Sequence, residues 1–154
     1  MIRDSRVSLL IPCEADEVQA ITDHLGIEAT EVRQSCPRVR QPDGTMAEQL
    51  WHAWSLDSPM AADAGDATSR LWALIEVIRP SGERLISLDP KWKRFIDIVY
   101  RVTPQRPDGI AGEFDWFRVP ATMMRILGEW GLDVSYEVFW HNHPDWKRPK
   151  RSLW

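Results

Sequence analysis

Residues 5–33 of the chain read SRVSLLIPCEADEVQAITDHLGIEATEVR, and this stretch decides the predicted fold. Alternating apolar residues predict a first strand, which Pro12 is expected to end: Val7, Leu9 and Ile11. Apolar residues at helical spacing then predict a helix: Val18, Ile21 and Leu25. Gly26 supplies the C-terminal stop of that helix, and residues 27–33 continue as a second strand. The stretch therefore predicts a strand–helix–strand unit.

A looser copy of this unit is predicted over residues 112–140. When the two stretches are aligned without gaps, Leu25-Gly26-Ile27-Glu28 falls on Trp130-Gly131-Leu132-Asp133. Two related units of this kind favour an α+β fold with a mostly antiparallel sheet and helices on one face. We therefore predict an internally duplicated, ferredoxin-like arrangement.

Between the two units, turn residues and periodicity predict the remaining elements. The segment 34–49 is a loop, or a hairpin built on Asp43-Gly44, and residues 50–56 form a third strand. A second helix is capped by Asp66 or Thr68 and ended by Pro80. The later predictions are a turn at Ser81-Gly82, strands over 84–88, 95–103 and 113–118, a helix with Pro120 in its first position, and a last strand over 134–140.

The length and composition are those of one ordinary globular domain. The chain has 154 residues, of which 44% are apolar and 27% charged. We expect a single α+β domain over residues 1–143 and a basic tail over residues 144–154. No apolar run resembles a signal peptide or a membrane span, so a cytoplasmic location without membrane contact is expected. Cys13 and Cys36 are predicted to be reduced thiols.

Charge is unevenly distributed along the chain. The net charge is −4, but the tail carries four positive residues, so residues 1–145 sum to −8. Because an acidic body repels phosphates, a nucleic-acid partner is not expected for the domain. Aromatic and basic residues alternate in the tail, which leaves open a nucleic-acid role for the tail alone.

The order of several short motifs resembles an uncharacterised bacterial family, one of the numbered domains of unknown function. The resemblance lies in residues 21–30, in Trp54-Ser55-Leu56 with Ser58, in the helix end at residues 74–80 and in the closing helix–Gly–strand unit. It covers about residues 6–140. The resemblance implies no catalytic residues and no cofactor. By analogy, small proteins of this kind are associated with the neutralisation of bacterial toxins.

Histidines are the best candidates for a metal-binding or catalytic site. On an extended chain His141 and His143 point the same way and could share a metal, with His52, His24 or a carboxylate completing the site. The alternative is that they are two exposed histidines beside Pro144. Signatures of nucleophilic catalysis and phosphate binding are absent from the sequence, so no catalytic residue, metal or cofactor is assigned.

Nine tryptophans are the unusual feature of the composition. Four of them fall on positions predicted to face the core: Trp72, Trp116, Trp130 and Trp140. Others lie beside the segment 34–49, where tryptophan favours a binding hot spot. The predicted partner-binding residues are therefore Arg38, Arg40, Asp43, Trp51, His52 and Trp54.

The preferred functional hypothesis is a protein-binding module without enzymatic activity, such as an immunity-type protein that occludes a toxin. It depends on the acidic body, the surplus of tryptophan and the missing catalytic signature. The alternative is a small, metal-dependent enzyme with a site around His52, His141 and His143.

Overall fold

The computed structural model of the protein describes residues 2–36, 38–61, 66–103 and 118–140. Its strands are β1 (Ile2–Cys13), β2 (Glu31–Ser35), β3 (Arg38–Arg40), β4 (Met46–Glu48), β5 (Trp51–Asp57), β6 (Phe95–Thr103) and β7 (Asp133–Trp140). Its α-helices are α1 (Val18–Leu25), α2 (Ala67–Ile78), α3 (Gly82–Ile86) and α4 (Ala121–Glu129). None of these helices is long and apolar enough to cross a lipid bilayer.

Five strands form one sheet in the order β2-β5-β1-β6-β7. Neighbouring strands are antiparallel except β6 and β7, which run parallel. The short strands β3 and β4 pair with each other in a separate two-stranded sheet. The prediction of an α+β fold with a mostly antiparallel sheet is therefore confirmed.

The hydrophobic core lies between the helices and one face of the sheet. Because side chains alternate along a strand, every second residue of the central strands enters this core. These strand residues are Val7, Leu9, Ile11, Trp54, Leu56, Ile96, Ile98 and Tyr100. Each of the four helices adds apolar side chains to the same cluster, for example Ile21, Leu71, Leu85 and Leu127. The opposite face of the sheet carries none of these helices and is called the open face below.

Several local predictions are confirmed. Gly26 ends α1 with a left-handed backbone, at φ 68°, and its N–H donates to the Thr22 carbonyl. Asp66 caps α2 by accepting a hydrogen bond from the Ser69 N–H at 2.7 Å. The strand predicted over residues 95–103 is β6 with the same bounds.

The turn predicted at Ser81-Gly82 and the strand predicted over residues 84–88 are wrong. A 3-10 turn over Arg79–Ser81 follows α2 and leads directly into α3. Pro80 is tolerated because the first turn of a helix needs no proline N–H. Leu85 and Leu88 are buried while Ile86 is exposed, which is the spacing of a helix and not of a strand.

Two further predictions have mixed outcomes. β1 does not end at Pro12 but continues to Cys13, with Pro12 opposite Ala53. Trp130 is buried as predicted, whereas Trp72 is 38% exposed on α2, so its predicted place in the core is wrong. Trp116 and the side chain of Trp140 lie outside the described residues. The first strand of the second unit also lies outside them in large part, so the duplication stays a prediction.

Two glycines provide a matched test of this packing. A Cβ added to Gly82 would lie 2.9 Å from Cε2 of the buried Trp130 ring, whereas one added to Gly128 meets nothing within 4 Å. We therefore expect Gly82→Ala to reduce the free energy of unfolding by about 1–3 kcal/mol, the usual effect of overpacking. Gly128→Ala is expected to raise it by about 0.8 kcal/mol, because alanine favours a helix over glycine. Urea denaturation of the two variants measures both effects, and equal stability of the two would contradict the placement of Trp130 against α3.

Candidate functional site

A network of polar side chains lies on the open face of the sheet. Its members are contributed by four strands: Arg6, Ser8, Glu31, Arg33, Ser55, Asp57 and Asp97. The pairing of the strands explains why they meet. Ser8 of β1 is opposite Asp57 of β5 on one side and opposite Asp97 of β6 on the other. Directly opposed residues share a face, so these three side chains form one row across the sheet.

The Arg33 guanidinium is the centre of the open-face network. Its Nε donates to Glu31 at 2.8 Å, and its Nη2 donates to the Ser8 hydroxyl at 2.7 Å and to the Asp57 carboxylate at 2.9 Å. Its Nη1 lies 3.4 Å from Oδ2 of Asp97. Because Arg33 belongs to the edge strand β2, this one side chain reaches over β5 and β1 as far as β6.

The network is largely removed from water but not fully satisfied. The side chain of Arg33 is 12% exposed and that of Asp97 only 2% exposed. Oδ1 of Asp97 and Nε of Arg6 are buried and have no hydrogen-bond partner among the described residues. Burial raises the pKa of Asp97, although the guanidinium groups of Arg33 and Arg6 oppose this shift. Burial and the nearby Arg33 guanidinium lower the pKa of Arg6.

A second carboxyl group stands next to the network on β7. Glu137 follows Ser135, the residue opposite Asp97, by two positions and therefore shares its face. Burial and the neighbouring Asp97 carboxylate raise the pKa of Glu137. Neighbouring acids with raised pKa values occur in catalytic sites and also in structural ion-pair networks, so the pKa values alone do not distinguish the two.

The geometry of this network favours a structural role. Asp97 and Ser8 are 1% and 0% exposed, so no substrate reaches either side chain. The Ser8 hydroxyl donates to Asp57 at 2.6 Å, and no histidine of the described ranges bonds to it as a base. The network holds the edge strand β2 to the centre of the sheet.

The edge strand that carries Arg33 continues into a projecting hairpin. Residues 38–48, called the arm below, contain β3, β4 and the turn between them. Ser35 pairs with Trp51 at the end of the main sheet, and Arg38 pairs with Glu48 at the start of the arm. Pairing therefore resumes in the same register after the intervening residues, which include Pro37, a residue with no N–H to donate. β2–β3 and β4–β5 are two long strands of one hairpin whose far end leaves the sheet.

The turn at the tip of the arm is the one that Asp43-Gly44 predicts. Gly44 adopts a left-handed backbone with φ 86°, and its N–H donates to the Gln41 carbonyl at 2.9 Å. The Asp43 carboxylate accepts hydrogen bonds from the Thr45 N–H at 2.9 Å and from the Thr45 hydroxyl at 2.6 Å. These bonds lower the pKa of Asp43.

Large apolar side chains on and beside the arm are open to solvent. Met46 is 54% exposed and Val39 is 38% exposed on the arm itself. At the base of the arm, Leu50 is 60% exposed and Val32 of β2 is 44% exposed. Met46 is opposite Arg40 and Val39 is opposite Ala47, so Met46 and Val39 lie on different faces of the arm. Exposed apolar residues concentrated in one segment are a usual sign of a binding surface.

The structure separates the predicted partner-binding residues into two groups. Arg38, Arg40 and Asp43 are exposed together on the arm. Trp54 is completely buried on the helix side, where its indole N–H donates to the Thr22 hydroxyl at 3.0 Å. His52 lies on the same side of β5 and is 9% exposed, while Trp51 is half-buried. Only the first group and part of Trp51 are available to a partner.

The histidine and cysteine candidates are not assembled into a site by the described residues. His24 is occupied by contacts with α3 and the residue after it, since its Nε2 lies 2.9 Å from the Arg84 carbonyl and 3.2 Å from the Ser87 hydroxyl. His141 and His143 lie outside the described residues. Within the part of the chain that is described, no three His, Cys, Asp or Glu side chains are placed to hold a metal ion. Burial raises the pKa of the Cys13 thiol, which keeps it protonated and unreactive.

Sequence reasoning missed the open-face network. Its only signal is a polar residue between apolar ones, such as Ser8 in β1 and Asp97 in β6. In an alternating strand such residues are normally assigned to solvent, and the strands that bring them together are far apart in sequence.

The family comparison agrees with the resemblance found in the sequence. The model of a family described as "Domain of unknown function (DUF4279)" matches residues 3–138. No match to the chain was found among the curated proteins or among the solved structures.

The central role of Arg33 can be tested by removing its charge. Arg33→Met removes the guanidinium that bonds to the buried Asp97 carboxylate and leaves Arg6 as the remaining cation near it, so we expect the free energy of unfolding to fall by about 3 kcal/mol. Adding Asp97→Asn to that variant should restore a large part of the lost stability, because the double variant no longer buries a carboxylate without its arginine. Arg125→Met is the control, since Arg125 bonds Glu129 on the exposed surface of α4 and such pairs contribute only about 0.5 kcal/mol. Similar losses in Arg33→Met and Arg125→Met would show that the network does not hold the sheet together.

The raised pKa of Asp97 predicts a pH dependence of stability. An acid whose pKa is higher in the folded state stabilises that state at low pH, and this contribution is lost as pH rises through the folded pKa. Asp97→Asn removes this term while the other charges around it, on Arg6, Arg33, Asp57 and Glu137, remain. The stability of Asp97→Asn relative to the unmodified protein should therefore increase in urea denaturation as the pH rises from about 4, the ordinary pKa of an aspartate, towards neutrality. A relative stability that stays constant or decreases over this range would contradict the prediction.

Proposed function

We propose a function for this chain, which belongs to the DUF4279 family of domains of unknown function. The description of this family names no activity, so the proposal is argued from the geometry of the protein. The proposed function is a protein-binding module without enzymatic activity that docks through the arm, residues 38–48, and the residues at its base. In the most specific form of this proposal, the protein is an immunity-type protein whose arm covers the active site of a toxin.

The observation that carries the proposal is the exposure of large apolar side chains on a hairpin that the main sheet does not support. Met46 and Leu50 are 54% and 60% exposed, which is more than any other large apolar side chain except Ile86 among those described. Full burial of such a side chain typically contributes about 1.5–3 kcal/mol. A partner that covers both therefore gains a substantial part of the free energy of a stable complex.

The stability of the arm also supports a binding role. An isolated two-stranded hairpin is marginally stable in water, and within the described ranges β3 and β4 pair only with each other, so the arm needs further support to keep its shape. The arm keeps its shape through its tip, where Gly44 and the Asp43–Thr45 bonds form a defined turn, and through the long strands at its base. A preformed arm loses little conformational freedom on binding, which favours affinity.

The net charge of the body acts on the encounter with a partner and not on the contact that the arm makes. Two arginines on the arm, Arg38 and Arg40, are balanced by Asp43 and Glu48, so the arm itself carries no net charge. The charge of −8 over residues 1–145 acts at longer range and would speed association with a basic partner. We therefore propose an apolar, steric contact made by the arm.

The enzyme alternative gains no support from the described residues. The open-face network is closed to substrates, and no metal-type cluster occurs in the described ranges. The histidine site that includes His141 and His143 lies outside them and stays a prediction.

Paired substitutions test the arm as the docking surface. Met46→Ser with Leu50→Ser removes exposed apolar area without touching the core, so folding should be unchanged and partner capture should fall at least tenfold. Met124→Ser with Ile86→Ser is the matched control, because these side chains are 51% and 54% exposed on helices. Capture is measured from extracts of the source organism and with proteins encoded by adjacent genes, including any toxin.

The result that would overturn the proposal is equally direct. Capture that is unaffected by the arm variant, or reduced to the same extent by the helix control, would exclude the arm as the docking surface. Circular dichroism and the urea midpoint of both variants show that a loss of capture does not come from unfolding.

A further inference from the structure

The outer edge of the long hairpin is open to the addition of another strand. β2 is the last strand of the main sheet on its side, and in the described part of the chain β3 pairs only with β4. The pairing of β2 with β5 and of β3 with β4 keeps one register, so residues 31–35 and 38–40 lie on the same outer side of the hairpin. These two strands contribute eight residues, or about 26 Å of edge at the usual rise of a strand. Its outward N–H and C=O groups have no neighbouring strand in the described residues.

At the opposite end of the sheet, β7 is the last strand among the described residues, and its large exposed side chains are uncharged: Val134, Tyr136 and Val138. The edge formed by β2 and β3 differs in carrying exposed arginines, which define the chemistry of a partner segment.

Side chains along this edge define the chemistry of an added strand. Arg38 and Arg40 lie two residues apart on β3 and therefore share one face. Although Glu48 is opposite Arg38 in register, neither arginine forms an ion pair in the described ranges. Val32, 44% exposed, adds an apolar contact on β2. Carboxylates at alternate positions of a neighbouring strand would face the two guanidinium groups, which is the favourable cross-strand arrangement.

The charges on β2 itself do not block the edge. A charged side chain that lay across the outer edge would hinder the pairing of another strand. Glu31 and Arg33 are instead bonded to each other at 2.8 Å, and Arg33 is folded onto the open face. The bonds of Arg33 to Ser8 and Asp57 keep its side chain over the sheet and away from the outer edge.

We propose that an extended, acidic segment of a partner protein adds as a further strand to the outer edge of β2 and β3, with its carboxylates facing Arg38 and Arg40. The proposal deepens the proposed function and rests on it, because it specifies how a partner held by the arm is recognised. Backbone pairing supplies affinity in this mode of recognition, and alternate side chains supply specificity. The acidic body of the protein repels such a segment at long range, but screening limits this repulsion to about 8 Å at physiological ionic strength.

Designed peptides test the proposal on the full-length protein. The probes are a blocked eight-residue peptide that alternates valine and glutamate, and the same peptide with lysine in place of glutamate. Fluorescence anisotropy should show at least a tenfold preference for the glutamate peptide. Arg38→Glu with Arg40→Glu should reverse the preference, because the facing charges are then exchanged. Failure of both peptides to bind, or a preference that survives the charge reversal, would overturn the proposal.

A third probe separates strand addition from simple charge attraction. The glutamate peptide with N-methyl groups on alternate residues keeps its charge but loses the donors that pair with the edge. We expect its affinity to fall at least tenfold, and unchanged affinity would overturn the proposal. Partner capture by the Met46→Ser and Leu50→Ser variant is measured independently, so strand addition can fail while docking through the arm stands.

Discussion

One guanidinium group connects most of the sheet. Arg33 projects from the edge strand β2 over the open face and bonds to side chains of β1, β5 and β6. These bonds oppose the cost of removing the carboxylates of Asp57 and Asp97 from water on the same face of the sheet. The arrangement has a direct consequence for β2. Among the described residues β2 has one strand neighbour, β5, and Arg33 adds a tertiary contact that reaches the centre of the sheet. The position of the arm depends on this contact, because the arm begins where β2 ends.

Alternate side chains of β5 point to opposite faces of the sheet, so this strand takes part in both the core and the open-face network. Its even-numbered residues, His52, Trp54 and Leu56, enter the helix side, where the Trp54 indole bonds to Thr22 of α1. Its odd-numbered residues Ser55 and Asp57 join the open-face network. A shift of one residue in register would place Trp54 on the polar face and Asp57 in the core. Apolar packing and the Arg33 network therefore fix the same register independently, and this register continues into the arm.

Much of the fold follows from the sequence, and the exceptions have physical reasons. Strand β6 and the cap and stop residues Asp66 and Gly26 are predicted correctly because each depends on local chemistry or a long, regular alternation. Residues 84–88 are misread as a strand because a short apolar run fits either period, and Ser81-Gly82 resembles a turn until it is packed as a helix start. The open-face network is missed because its partners come from strands distant in sequence. The burial of Trp54 is missed for the same reason: it depends on which face α1 covers.

The position of the arm can be argued from the same constraints. Where the strands of a hairpin lie within the sheet, helices or other segments can cover their faces, and the side chains there contribute to packing. Past Ser35 and Trp51, no described helix or strand accompanies the hairpin, so the side chains of residues 38–48 contribute little to the core. Apolar residues there cost solubility and add little packing, which is the physical argument for the proposed contact with another molecule. The arm is thus where the chain is least constrained by its own fold, whereas the open-face network is where it is most constrained. We therefore expect the arm to bind and the open-face network to stabilise the fold, although only the network carries the buried charges that are typical of functional sites.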